Sequence, residues 1–209
     1  IGKWHVTKNP TNNGFDINIA GTQAGGPYSG GYHSPYKYPN CEQQKPGEYL
    51  TDRLTSEAIG FIDKNHQTPF FLHLAYFTVH TPIQGKKDKI KRFKSKKPAK
   101  GQANATYAAM ISSLDDNIGR LSKHLEEKEL LENTLILFTS DNGGVSSGDA
   151  YPTGNLPLRG GKGRQWEGGI REPFYIRAPG TTKAGSKSAV PVSGIDWYPT
   201  LLELAGVKA

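Results

Sequence analysis

A short apolar run ending in an acid, an amide and two glycines constrains this chain more than any other feature. Thr134 to Thr139 reads as a buried β-strand, and Leu137 to Gly144 spells Leu-Phe-Thr-Ser-Asp-Asn-Gly-Gly. The strand delivers Asp141 and Asn142 at its carboxyl end, and Gly143 and Gly144 allow a sharp turn and a close approach to a ligand. Ligands of open α/β sheets sit outside the carboxyl ends of strands. One charged and one neutral oxygen suit a hard cation, Ca²⁺ with Mg²⁺ as the alternative. Alone, Asp-Asn-Gly-Gly is also an ordinary tight turn, because all three residue types favour turns. Two more stretches follow: Leu-Arg-Gly-Gly-Lys-Gly at Leu158 to Gly163, and Trp-Glu-Gly-Gly-Ile-Arg-Glu-Pro at Trp166 to Pro173. Lys162, framed by glycines, presents an ammonium where an anion meets little steric obstruction. A cation site beside a basic loop points to a phosphate or sulfate ester.

Periodicity supplies the frame around that stretch. From Gly47 onward, Leu50, Leu54, Ala58, Phe61 and Ile62 recur at helical spacing and predict a helix of about 16 residues. Pro69 to Phe77 is almost continuously apolar, as in a strand buried on both faces of a parallel sheet, with His73 as a core or sheet histidine rather than a ligand. It ends at His80-Thr81-Pro82, which places His80 at the same edge as Asp141. Tyr107, Met110, Ile111, Leu114, Ile118, Leu121 and Leu125 mark a long amphipathic helix, with Asp115 and Asp116 facing solvent or packed beside it. A strand at Phe174 to Arg177 and a helix at Trp197 to Leu204 close the chain, and a short strand is expected within Gly14 to Ile19. This alternation favours an α/β fold with a mainly parallel sheet flanked by helices. Residues 25–39 read as an irregular packed loop, or as a cleft lining in which Tyr28, Tyr32, Tyr36 and Tyr38 stack on sugar rings.

The chain of 209 residues suffices for one sizeable domain. Its formal charge of +7 is local: Lys86 to Lys100 holds nine basic residues and one acid, out of 26 basic and 19 acidic residues in the chain. The remainder is therefore near neutral, with 17 basic and 18 acidic residues. Residues 85–101 thus read as a basic loop, either a solvated excursion or an attractor of a polyanionic substrate. Nucleic acid is a poor fit, since the run offers only Phe93 for stacking. Cys41 is the sole cysteine, which excludes an intrachain disulfide and a cysteine-based zinc site. No membrane-length apolar run or signal peptide occurs, and Ile1 is read as an internal position. Asn104-Ala105-Thr106 is a glycosylation sequon.

Gly2-Lys3-Trp4-His5 places an ammonium and an imidazole two residues apart, on one face if the segment is extended. In order along the chain, this motif, His-Thr-Pro at His80, Ser-Asp-Asn-Gly-Gly, the Lys162 loop and Glu-Gly-Gly-Ile-Arg-Glu-Pro resemble the sulfatase family. Ser193 to Leu202 resembles the helix after its active-site region, so the likeness covers nearly the whole chain. The resemblance implies an alkaline-phosphatase-like α/β sandwich, of which 1–209 is a partial catalytic domain. It implies hydrolysis of a sulfate monoester by a formylglycine nucleophile, with a sulfated small molecule, aryl sulfate or sulfated glycan as substrate. Asp141 and Asn142 then resemble metal ligands, and Lys162 and His80 resemble sulfate-binding residues, His80 also protonating the leaving alcohol. Lys3 and His5 resemble the pair beside the formylglycine. The family motif Cys/Ser-x-Pro/Ala-x-Arg is not in this chain, and Cys41 stands in the wrong context for it. The nucleophile and the paired aspartates are expected upstream of Ile1, and the smaller carboxyl-terminal subdomain is missing too. The isolated 209 residues are therefore expected to be inactive. A periplasmic, lysosomal or secreted location is implied; oligomeric state is not. Two other readings stay open: a phosphodiesterase or phosphatase of the same superfamily, and a non-catalytic binding module on this fold.

Overall fold

Leu50, Leu54, Ala58 and Ile62 fall on one face at helical spacing, and they are the buried face of helix α1, Leu50–Asn65. Helix α1 packs on α3, Ala105–Glu127, through Ala109, Met110, Ser113 and Asn117. The Asn104 side chain starts α3 by accepting the Thr106 and Tyr107 backbone N–H groups, both at 3.0 Å, so the sequon asparagine is a helix cap. Asn117 donates to Asp52 at 2.7 Å, and His124 and Lys128 meet Asp63, fixing the register of the two helices. This computed structural model describes residues 1–146 and 152–207.

The basic stretch is not simply a loop. Lys87–Lys94 forms helix α2, which packs on α3. An isolated helix of that length does not persist in water; here Lys86 pairs with Asp52 at 2.6 Å and Lys89 with Asp116 at 2.6 Å. The expected packing or solvent role of Asp116 is thereby specified, and Asp115 is exposed.

Strand β1, Ile136–Thr139, pairs antiparallel with β2, Phe174–Arg177, with Ile136 opposite Arg177 and Thr139 opposite Phe174. A mainly parallel sheet was expected; among the described residues the one sheet is antiparallel. A parallel return needs a long crossover, usually a helix. Between these strands the described residues form turns and the single-turn helix α4, Glu167–Ile170. Among the described residues, parallel pairing is confined to a bridge between Gly2 and Ala75. There the Lys3 N–H donates to Ala75 O at 2.7 Å, and the Ala75 N–H donates to Ile1 O at 2.9 Å.

Pro69 to Phe77 is consequently extended but forms no strand, because its bridging partner is a few residues long. It is not buried on both faces: Phe77 is 3% exposed and Phe71 67%. His73 is exposed beside Phe15 rather than in the core. Gly14 to Ile19 is irregular as well, since the Asn18 side chain ties itself to Asn9 and to the Gly21 backbone. Helix α5, Gly194–Leu204, starts before Trp197 because the Asp196 carboxylate accepts the Ser193 N–H at 2.7 Å.

The core beneath α1 is rich in tyrosine. Tyr32, Tyr36, Tyr38 and Tyr49 cluster with Ala20, Cys41, Leu50, Leu54, Phe77 and Met110. Tyrosine tolerates burial when its hydroxyl finds a partner: Tyr36 donates to Glu48 at 2.8 Å and Tyr49 to Gln84 O at 2.9 Å. Of the two readings of residues 25–39, the packed loop holds for Tyr32, Tyr36 and Tyr38, and of the four tyrosines Tyr28 alone is exposed. Burial pushes the Cys41 thiol up to about 11, which keeps it protonated and unsuited to act as a nucleophile.

Candidate functional site

Three glycine-rich stretches interlock main chain to main chain. Gly143 N–H donates to Gly169 O at 3.1 Å, Lys162 N–H to Gly144 O at 3.1 Å, and Gly168 N–H to Arg159 O at 2.8 Å. A Cβ at Gly143 would overlap the Gly168 carbonyl, so only glycine lets these backbones touch. Asn155 clamps the junction, accepting from Gly144 N–H and donating to the Gly144 and Gly160 carbonyls. Asp141, Asn142 and Lys162 are therefore carried on one rigid assembly, although they come from separate motifs.

Lys3 joins this assembly from the other end of the chain, its ammonium 2.6 Å from Asp141 Oδ2. Burial works against ionisation of Asp141, but the Lys3 hydrogen bond and the charges of Lys3 and Lys162 outweigh it. Its carboxyl is held below the usual range. Asn142 uses its amide nitrogen on Gly143 O, which leaves its side-chain oxygen available to a cation. Asp141 and Asn142 thus fit a hard cation in donor chemistry. Among the described residues no group of three or more His, Cys, Asp and Glu is placed to hold a metal. Such ions take six or more oxygens, so these two residues are part of a coordination sphere.

His80 is positioned from the core. Its Nδ1 lies 2.8 Å from Thr81 O, and a carbonyl only accepts, so Nδ1 carries a proton and Nε2 is the atom left for chemistry. Behind it, the Tyr32 hydroxyl reaches the Phe77 and His80 carbonyls at 2.6 and 2.9 Å, and Thr51 meets Thr78 at 2.6 Å. Burial lowers the His80 pKa; the Thr81 bond opposes this, the charges of Lys162 and Lys3 add to it, and Asp141 opposes it.

Lys3, His80, Asp141 and Lys162 are thus close enough to act on one another's charge. His5 is exposed and not in an extended segment, since its φ is 61°, so the expected shared face with Lys3 does not form by strand geometry. Its ring instead rests on Gly25, while the neighbouring Gly26 rests on His80. Gly25 and Gly26 were not singled out from the sequence; a glycine pair in an otherwise aromatic loop was the available signal. Glu172 was also missed, although it lies in the last motif. Burial and the nearby Asp141 charge raise its pKa, and its Oε1 is buried without a partner among the described residues.

The Sulfatase family model matches residues 1–207. The chain belongs to the sulfatase family. It is 39% identical to steryl-sulfatase of Homo sapiens over 170 residues, covering 78% of this chain and 28% of that protein. It is 34% identical over 204 residues to a sulfatase of Formosa agariphila, covering 87% of this chain and 36% of that protein. The structure of Ps i-CgsB in complex with k-i-k-neocarrahexaose superposes with a TM-score of 0.78 at 34% identity, over all of this chain and 50% of that one. The chain therefore spans about a third of the curated relatives it matches. Its neighbours place it on the alkaline-phosphatase-like α/β fold as a partial domain.

Proposed function

We propose that this chain is part of a sulfatase that hydrolyses a sulfate monoester of a glycan, and that its own residues hold the sulfate and protonate the leaving alcohol. The observation that carries this reading is the convergence of Lys3, His80, Asp141 and Lys162 from four separate stretches of sequence. Lys3 and Lys162 face the anionic sulfate oxygens. His80, charged and bearing a proton on Nε2, donates it to the bridging oxygen as the sulfur–oxygen bond breaks. Fixed cations and a proton donor aimed at developing charge stabilise such a transition state. Asp141 and Asn142 would hold Ca²⁺ or Mg²⁺, which supplies Lewis-acid stabilisation when bound. The nucleophile, a formylglycine, and the remaining metal ligands belong to sequence outside residues 1–209, as do the strands that complete a larger, parallel sheet. His5 assists at the nucleophile's side; its ring rests on Gly25, next in sequence to the Gly26 that meets His80. A sulfated glycan is favoured by two observations. The structural neighbour was solved with k-i-k-neocarrahexaose, and α2 with its flanks keeps a cationic surface after Lys86 and Lys89 are used in packing.

The test is turnover by the full-length parent enzyme of matched sulfate and phosphate monoesters. The reading expects release of sulfate in preference to phosphate, and a fall of about 10²–10³-fold in kcat for Lys162→Ala. Preferential phosphate release would assign the site to phosphoryl transfer. Binding of sulfated ligand without turnover would make the fold a recognition module.

A further inference from the structure

The Tyr28 ring stands next to the proposed acid and is built to be touched. It is 65% exposed, whereas Tyr32, Tyr36 and Tyr38 are each 8% exposed or less. It meets the His80 imidazole edge-on, with centroids 5.8 Å apart and planes at 85°. Gly26 wedges the two together: a Cβ there would come within 2.8 Å of both His80 Nδ1 and Tyr28 Cζ. The loop is tied by its own backbone, Tyr28 N–H to Gly26 O at 2.8 Å, Gly31 N–H to Pro27 O at 2.9 Å and Lys37 N–H to Ser29 O at 2.8 Å. The ring is thus presented on a fixed support, not on a free tip. Its hydroxyl has no hydrogen-bond partner among the described residues.

We propose that Tyr28 is a specificity-determining residue, the platform on which the pyranose ring of the leaving alcohol stacks beside His80. The inference rests on the sulfatase reading above, and the chemistry follows from proximity. His80 must reach the bridging oxygen, so the carbon skeleton attached to that oxygen comes to lie beside the imidazole. The exposed aromatic face there is Tyr28. A pyranose offers an apolar C–H face to the ring and hydroxyls to the free phenol, a combination that an acyclic alkyl chain lacks. The ring carries no charge, so it discriminates on the alcohol and leaves the sulfate to Lys3 and Lys162.

The experiment compares the full-length parent enzyme with its Tyr28→Ala and Tyr28→Phe variants on three probes: sulfated methyl galactopyranoside, 4-nitrophenyl sulfate and hexyl sulfate. For Tyr28→Ala, kcat/KM is expected to fall about tenfold on the pyranoside, chiefly through KM, and less than about twofold on hexyl sulfate. Tyr28→Phe, which keeps the ring, is expected to keep most of the pyranoside activity. Equal losses on the pyranoside and on hexyl sulfate would overturn the proposal, since Tyr28 would then only prop His80. So would a loss confined to the aryl sulfate, or no loss on any probe. Wild-type turnover of hexyl sulfate tests the sulfatase reading separately. Calorimetric titration of k-i-k-neocarrahexaose tests Tyr28 without turnover: binding about tenfold weaker in Tyr28→Ala supports stacking, and unchanged or absent binding opposes it.

Discussion

The glycine loops around Asp141 and the tyrosine core around Leu54 are both densely bonded, by opposite means. In the loops, backbone touches backbone, and Gly143, Gly161 and Gly168 are required because any Cβ would collide with a carbonyl. In the core, side chains fill the space, and hydroxyls such as that of Tyr32 reach across it to the backbone. The loops therefore hold charges in place and tolerate no side chain at these three glycines, whereas the core tolerates hydrophobic exchange at a cost in stability. His80 lies where the two regions meet, on the core side through Tyr32 and on the site side through the charges of Lys3, Lys162 and Asp141.

That contrast can be broken or sharpened by substitution in the parent enzyme. Among substitutions that leave every charged side chain in place, the largest loss of activity is expected for Gly143→Ala, because the methyl group pushes the Asp141 loop off the Gly168 carbonyl. A displacement of about 1 Å costs on the order of 100-fold in rate, and steady-state kinetics with a sulfate ester would measure it. Unaltered kinetics would mean that the interlocking does not position the charges. The largest loss of stability is expected for Leu54→Ala, which empties a fully buried site. Denaturant unfolding should show about 2–5 kcal/mol, with kcat of the folded enzyme changed less than about twofold. A large kcat effect would show that core and site are not separable as described. The smallest effect is expected for Asn104→Ala, which removes the α3 cap and about 1 kcal/mol. Glycan attachment at Asn104 should cost a similar amount, read as a lowered melting temperature.

What the sequence disclosed follows the same division. Asp141, Asn142 and Lys162 were legible because backbone contact forces glycine, and forced glycines leave a pattern. Helices α1 and α3 were legible because one buried face imposes its period on the sequence. The tyrosines were not: Tyr28 and Tyr32 are the same residue type four positions apart, and only the path of an irregular loop decides which is buried. Pro69 to Phe77 was misread for a related reason. Its composition suits a strand, but strand pairing depends on a partner, and Gly2 to Ala75 is one bridge. The basic stretch hid helix α2 because its docking rests on ion pairs to Asp52 and Asp116, far away in sequence.

The central claim, that His80 delivers the leaving-group proton within this charge cluster, is tested most directly by the pH dependence of kcat/KM in the parent enzyme and its His80→Ala variant. It should be measured on hexyl sulfate, a poor leaving group, and on 4-nitrophenyl sulfate, a good one. Burial and two lysine charges lower the His80 pKa from its ordinary 6.5, so the protonated form is lost as pH rises through a midpoint below that value. The account predicts a hexyl sulfate rate that falls above that midpoint. In His80→Ala that limb should vanish with a loss of about 10²–10⁴-fold, and the loss on 4-nitrophenyl sulfate should be much smaller. Equal losses on both esters, or a limb that persists without His80, would contradict it.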